Sequence, residues 1–161
     1  MNPYLGEYLS PTRMSTSAAQ RIFTEPVKAR LKAAIVATEL KTSGEVCVYV
    51  EDHVGPADVW VRAQQLFDQL GLTKTMLRNG VLLYLAVADR RFAILGDAGI
   101  DQRVPDGFWD AIRDDLQDHF RREAFIEGME RAIGRIGDQL ALYFPRAADD
   151  INELPDEVHV V

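Results

Sequence analysis

The sequence predicts a three-layer α/β/α sandwich on a mixed, mostly parallel sheet that contains one antiparallel hairpin strand. Three observations lead there. Helical and strand patterns follow one another in the order α β α β β α α. A strand–helix–strand passage calls for parallel pairing through a right-handed crossover. The stretch "ADRR" then leaves room only for a tight turn, so the strand after it returns antiparallel. Helices covering both faces of such a sheet complete the sandwich.

Each element has its own warrant. Ser17 followed by Gln20 resembles a capping box and opens a first helical turn. Thr24 precedes Pro26, which a first helical turn tolerates, and Val27, Leu31, Ile35 and Thr38 give one apolar face ending near Gly44. "EVCVYVE" (Glu45–Glu51) is β-branched and aromatic, the composition of a buried strand. A second helix runs from Pro56 to Gly71, with Val59, Leu66 and Leu70 along its face. The nearly continuous apolar run Val81–Val87 suits a strand covered on both faces, and "FAIL" is its hairpin partner. From Pro105 a third helix carries Phe108, Ile112, Leu116 and Phe120 at four-residue steps. From about Glu123 a fourth carries Ile126, Met129, Ile133, Ile136, Leu140 and Tyr143.

These elements divide the 161 residues into a loose extension (1–14), one α/β domain (15–145) and an acidic tail (146–161) read as an extended surface segment. Met14 is a second candidate start. Residues 146–161 hold five acids and one base, whereas residues 1–43 hold six bases and three acids. With a net charge of -7 and no basic stripe, the chain is a poor candidate for nucleic acid. No apolar run reaches the length of a membrane helix, and the amino terminus lacks the pattern of a signal peptide, so a cytoplasmic protein is expected. The single cysteine, Cys47, fits a reducing compartment and reads as a small buried hydrophobe.

Familiar catalytic machinery is missing. His53, His119 and His159 make no zinc spacing, and His53 and His119 read as solvent-facing. There is no G-x-S-x-G, Walker loop or G-x-G-x-x-G. An EF-hand fails because Gly99 stands where an oxygen ligand belongs.

What remains is acid. "ILGDAGIDQRVPDGFWD" places Asp97, Asp101, Asp106 and Asp110 in one passage. Each has a structural explanation in caps, turns and the helix dipole. Asp106, Asp110 and Asp114, however, recur every four residues, and like charges at that spacing cost a few tenths of a kcal/mol per pair. Carboxylates on such a stripe suit Ca²⁺ or Mg²⁺, which take oxygen ligands. Asp97 shares its end of the sheet with Glu45, which widens the candidate set. A rival site lies at the other end, where Asp52 and Asp89 finish the two parallel strands. The tail, with Leu154 and Val158, is a candidate docking element for a protein partner.

"TSGEVCVYVE", "NGVLLYLAVADRRFAILGDAGIDQRVPDGFWDAI" and "INELPDEV" resemble the TPM domain family, most closely its short bacterial branch. The resemblance covers residues 17–145 and the tail, and is most specific in the hairpin and the loop after it. It implies the same α/β/α sandwich, binding of Ca²⁺ or Mg²⁺, and an acid phosphatase activity proposed for plant members. By position, Asp89 and Arg90 match the family's acidic-arginine hairpin turn and become the catalytic candidates. Gly96, Gly99 and Asp106 match its glycine loop and the turn after it. The chain departs from the family's "GYGLEG" loop, where it has "GDAGID". Two readings result: a cation-binding domain that acts through protein partners, or a metal-assisted phosphomonoesterase.

Overall fold

The structure is a computed structural model that describes residues 17–148, 154–156 and 158–161. The expected extension (1–14) and the Met14 start lie outside these residues.

Its centre is the pair of strands that the apolar runs forecast. β1 (Glu45–Glu51) and β2 (Gly80–Ala86) pair in parallel, from Glu45 opposite Gly80 to Glu51 opposite Ala86. β3 (Arg91–Gly96) returns antiparallel against β2, from Ala86 opposite Arg91 to Val81 opposite Gly96. The tail then departs from expectation. Instead of ending as a surface segment, it supplies β4 (Val158–Val160), which pairs in parallel with β1 and gives the order β3-β2-β1-β4. Three residues are too few for a period-2 pattern to register, so only the pairing reveals this strand.

Helices cover both faces, as expected for a three-layer sandwich. α1 (Ala18–Ile22), capped by Ser17, leads into α2 (Glu25–Glu39). α3 (Val59–Gln69) is the β1–β2 crossover, and the Asp58 side chain caps it at Val61 N. β3 does not run into an open glycine loop but into a helical turn, α4 (Ala98–Asp101), whose cap is Asp97. α5 (Phe108–Arg121) and α6 (Phe125–Tyr143) follow. α5 begins three residues beyond Pro105, so Asp106 lies outside the helix and the expected acidic stripe loses its first member.

The strand alternation sorts the core into two layers. Val46, Val48, Val50, Val81, Leu83 and Leu85 face α1, α2, α5 and α6, meeting Leu31, Ile35, Leu116, Ile133 and Leu140. Cys47, Leu82, Tyr84 and Ala86 face α3, meeting Ala63, Leu66 and Phe67. Full burial of each large aliphatic side chain contributes about 1.5–3 kcal/mol, which makes the two layers the main stabilising term. Cys47 is buried and reduced, as its strand position implied. His119 is not solvent-facing: its ring bonds the Asp115 carbonyl, and an added Cβ on Gly128 would lie 2.7 Å from His119 Cβ. No helix among the described residues is long and apolar enough to cross a membrane.

Candidate functional site

The chain changes direction between α2 and β1, and the change is tightly built. Thr42 Oγ1 donates to the Phe144 carbonyl and accepts from Gly44 N–H. Gly44 packs so closely on Leu140 that a Cβ there would lie 2.7 Å from a methyl carbon. Glu39, the last residue of α2, and Glu45, the first of β1, are thereby brought to one end of the sheet. The tail adds a third acid. It is Asp156, two residues before Val158, which lies opposite Val48.

Glu39, Glu45 and Asp156 each place a carboxylate oxygen within 4.8 Å of the others. Glu39 and Glu45 are only 5% and 3% exposed. Glu39 Oε2 accepts the Val46 N–H at 2.7 Å, while Oε1 is buried with no hydrogen-bond donor. Arg146 Nη1 serves the Glu39 backbone carbonyl at 2.9 Å. Burial first, then a hydrogen bond shared with the Asp156 carboxyl, push Glu39 up to about 10, against the smaller opposing pull of the Val46 N–H. A buried carboxylate that lacks a donor requires either a proton or a cation. An all-oxygen set of two glutamates and an aspartate suits a hard divalent ion such as Ca²⁺ or Mg²⁺.

Of the expected ligands only Glu45 joins this cluster. Asp97 takes two hydrogen bonds from Arg78, at 2.7 and 2.8 Å, and caps Ala98 N. Asp101 accepts from Trp109 Nε1 at 2.9 Å. Asp110 and Asp114 share Arg113, each at 3.2 Å, and Asp106 is exposed in the turn before α5. Among the described residues these aspartates are not gathered around a common point. Arg113, paired with both Asp110 and Asp114, relieves part of the like-charge repulsion along this stretch.

The rival end of the sheet is likewise occupied by internal bonds. Asp52 accepts the Ala19 N–H at 2.7 Å and fastens α1 to the sheet. Asp89 accepts from His53 Nδ1 at 2.8 Å and from Val54 N–H at 2.7 Å, and these two contacts hold its carboxyl below the usual range. Arg90 adopts a left-handed backbone (φ 55°) in the hairpin turn.

Sequence reasoning missed Glu39 and Asp156. Glu39 had a signal: with Leu31 and Ile35 it continues the apolar stripe of α2 at four-residue steps, so a carboxylate falls on the buried face. Asp156 had none, because only the β4 register brings it to Glu45.

Comparisons with known proteins agree with this frame. The family model for the TPM domain matches residues 17–139. The solved structure of the BA42 protein from the psychrophilic bacterium Bizionia argentinensis is 40% identical, with a TM-score of 0.79 over 86% of this chain and 94% of that one. An amino-terminal domain from P. gingivalis is 23% identical, with a TM-score of 0.62 over 80% of this chain and 82% of that one. The amino-terminal domain of the cg2496 protein from Corynebacterium glutamicum is 16% identical, with a TM-score of 0.58 over 73% of each chain. The last two likenesses speak for the fold alone. No curated protein matches the chain.

Proposed function

The chain belongs to the TPM domain family, and from that premise we propose that it binds one divalent cation, Ca²⁺ or Mg²⁺, at Glu39, Glu45 and Asp156 and acts through a protein partner. The supporting observation is Glu39 Oε1, a buried carboxylate oxygen facing two further acids with no donor of its own. A bound cation would neutralise the three acids and displace the proton that Glu39 otherwise keeps. Because Asp156 lies two residues before the start of β4, occupancy would tie the tail to the end of α2. The outer edge of β4, the last strand of the sheet among the described residues and half-buried along its length, is the element we assign to the partner. Binding is favoured over metal-assisted phosphomonoester hydrolysis because Asp89, the expected catalytic carboxylate, is already engaged by His53 and Val54.

Calorimetric titration of the chelator-treated protein with Ca²⁺ and with Mg²⁺ tests the cation site. In two buffers of different ionisation enthalpy, the observed heat should differ by the release of about one proton at pH 7. Saturation should raise Tm by about 5 °C or more. Glu45→Gln should weaken binding at least about tenfold. No heat and no shift in Tm at millimolar metal would end the proposal.

A further inference from the structure

The end of the sheet opposite the carboxylate cluster carries the reverse charge. Where β2 runs out at Val87 and Ala88, a cavity of about 840 Å³ opens between α1, the β2–β3 turn and the α5–α6 junction. That volume lies within the roughly 300–1,000 Å³ of small-molecule sites, and the carboxyl end of parallel strands is their usual position in open α/β sheets. Its floor is apolar. Leu85 is buried there, and Phe92, Phe120 and Phe125 form a run of ring contacts with centroids 5.2 and 5.5 Å apart. These three rings are only partly buried, so aromatic surface faces the opening.

The rim is basic. Arg21 comes from α1, Arg90 from the hairpin turn, and Arg121 and Arg122 from the end of α5. Against these four arginines the lining sets one acid, Glu123, although the whole chain carries a charge of -7. The α5 dipole accounts for cations at Arg121 and Arg122, but not for the convergence of two other segments on the same opening. Arg122 is bonded to Asp118 at 3.0 Å, whereas among the described residues Arg90 and Arg121 form no ion pair. The walls are held in place. Asp52 fixes α1 at Ala19 N, and Phe23, 2% exposed, anchors that helix against Phe125.

We propose that this cavity binds a small amphipathic organic anion, its apolar body on the phenylalanine floor and its carboxylate or phosphate head at the guanidinium rim. Planar guanidinium groups pair bidentately with either head. The site is independent of the cation cluster, which lies at the other end of β1 and β2.

The test is titration of the ¹⁵N-labelled full chain with 2-naphthoate, with 2-naphthyl phosphate and with the uncharged 2-naphthylmethanol. At least one anion should bind with a Kd of about 1 mM or tighter and at least roughly tenfold more tightly than the alcohol. Its largest shifts should fall on the amides of Leu85, Phe92, Phe120 and Arg121. The tighter anion identifies the head group. The double variant Arg90→Gln/Arg121→Gln should keep the wild-type Tm and lose roughly tenfold in affinity. Arg113→Gln, an arginine outside the cavity, should lose none. Absence of binding by both anions, equal binding of the alcohol, shifts centred elsewhere, or equal loss in the Arg113 variant would each overturn the assignment.

Discussion

Glu39 Oε2 accepts the backbone N–H of Val46 at 2.7 Å, so the last residue of α2 is fastened to the second residue of β1. The bond holds the α2–β1 corner and commits the carboxyl to a buried position in which its other oxygen lacks a donor. Fold and candidate cation site therefore depend on the same side chain.

That dependence gives a pH signature. Glu39 is raised from 4.5 to about 10, so the metal-free folded state keeps a proton that the unfolded chain releases. Stability from this group is full below pH 4.5 and declines as pH rises toward 10, by at most about 1.4 kcal/mol per unit. Glu39→Gln retains an oxygen for Val46 N–H and cannot ionise, so its stability should exceed wild type at pH 8–9 in chelator. Urea denaturation between pH 5 and 9 checks this, and parallel profiles for the two proteins would refute it.

Asp97 should prove structural. It caps α4 and receives both arms of Arg78 while its side chain is 7% exposed. Asp97→Ala should destabilise the fold by about 1–3 kcal/mol and leave Ca²⁺ affinity unchanged. Denaturation and calorimetry on the same variant separate the two effects, and a lost cation site with intact stability would reverse the assignment.

Glu51 joins β1 to both a neighbouring strand and a covering helix. Its carboxylate takes Arg62 Nε at 2.8 Å and Nη2 at 2.9 Å, and also accepts the buried Tyr84 hydroxyl. Burial and this carboxylate together push the Tyr84 hydroxyl well above its usual range. Glu51→Ala strands a phenol and a guanidinium, so a loss of about 2–4 kcal/mol is expected. Glu51→Gln should cost less in the same urea titration, since it still accepts from Tyr84.

Two glycines should respond in opposite directions. A Cβ on Gly99 would lie 2.1 Å from the Leu77 carbonyl oxygen and 2.5 Å from that of Arg78, both backbone atoms. Gly99→Ala should therefore destabilise by about 2–4 kcal/mol. A Cβ on Gly134, inside α6, meets nothing within 4 Å, so Gly134→Ala should stabilise by about 0.5–1 kcal/mol. Thermal melts of the pair suffice to test both signs.

The order of elements, the parallel β1–β2 pair, the antiparallel return after "ADRR" and most of the core are legible in the residues, because these follow from local chemistry. Four-residue apolar steps such as Leu31–Ile35 and Ile112–Leu116 state which helical face is buried, and an unbroken apolar run states that a strand is covered twice. Which carboxylates meet is set by long-range packing. Asp97, Asp101, Asp106 and Asp110 are neighbours in sequence, yet Arg78, Trp109 and Arg113 hold three of them apart and Asp106 lies in an exposed turn. Glu39, Glu45 and Asp156 are drawn together by a corner and by the three-residue strand β4. Periodicity reports the environment of one element at a time. A cluster depends on the register between elements far apart in the chain: Glu45 was legible from its place at the start of β1, Glu39 left a trace as a charge on an apolar stripe, and Asp156 left none.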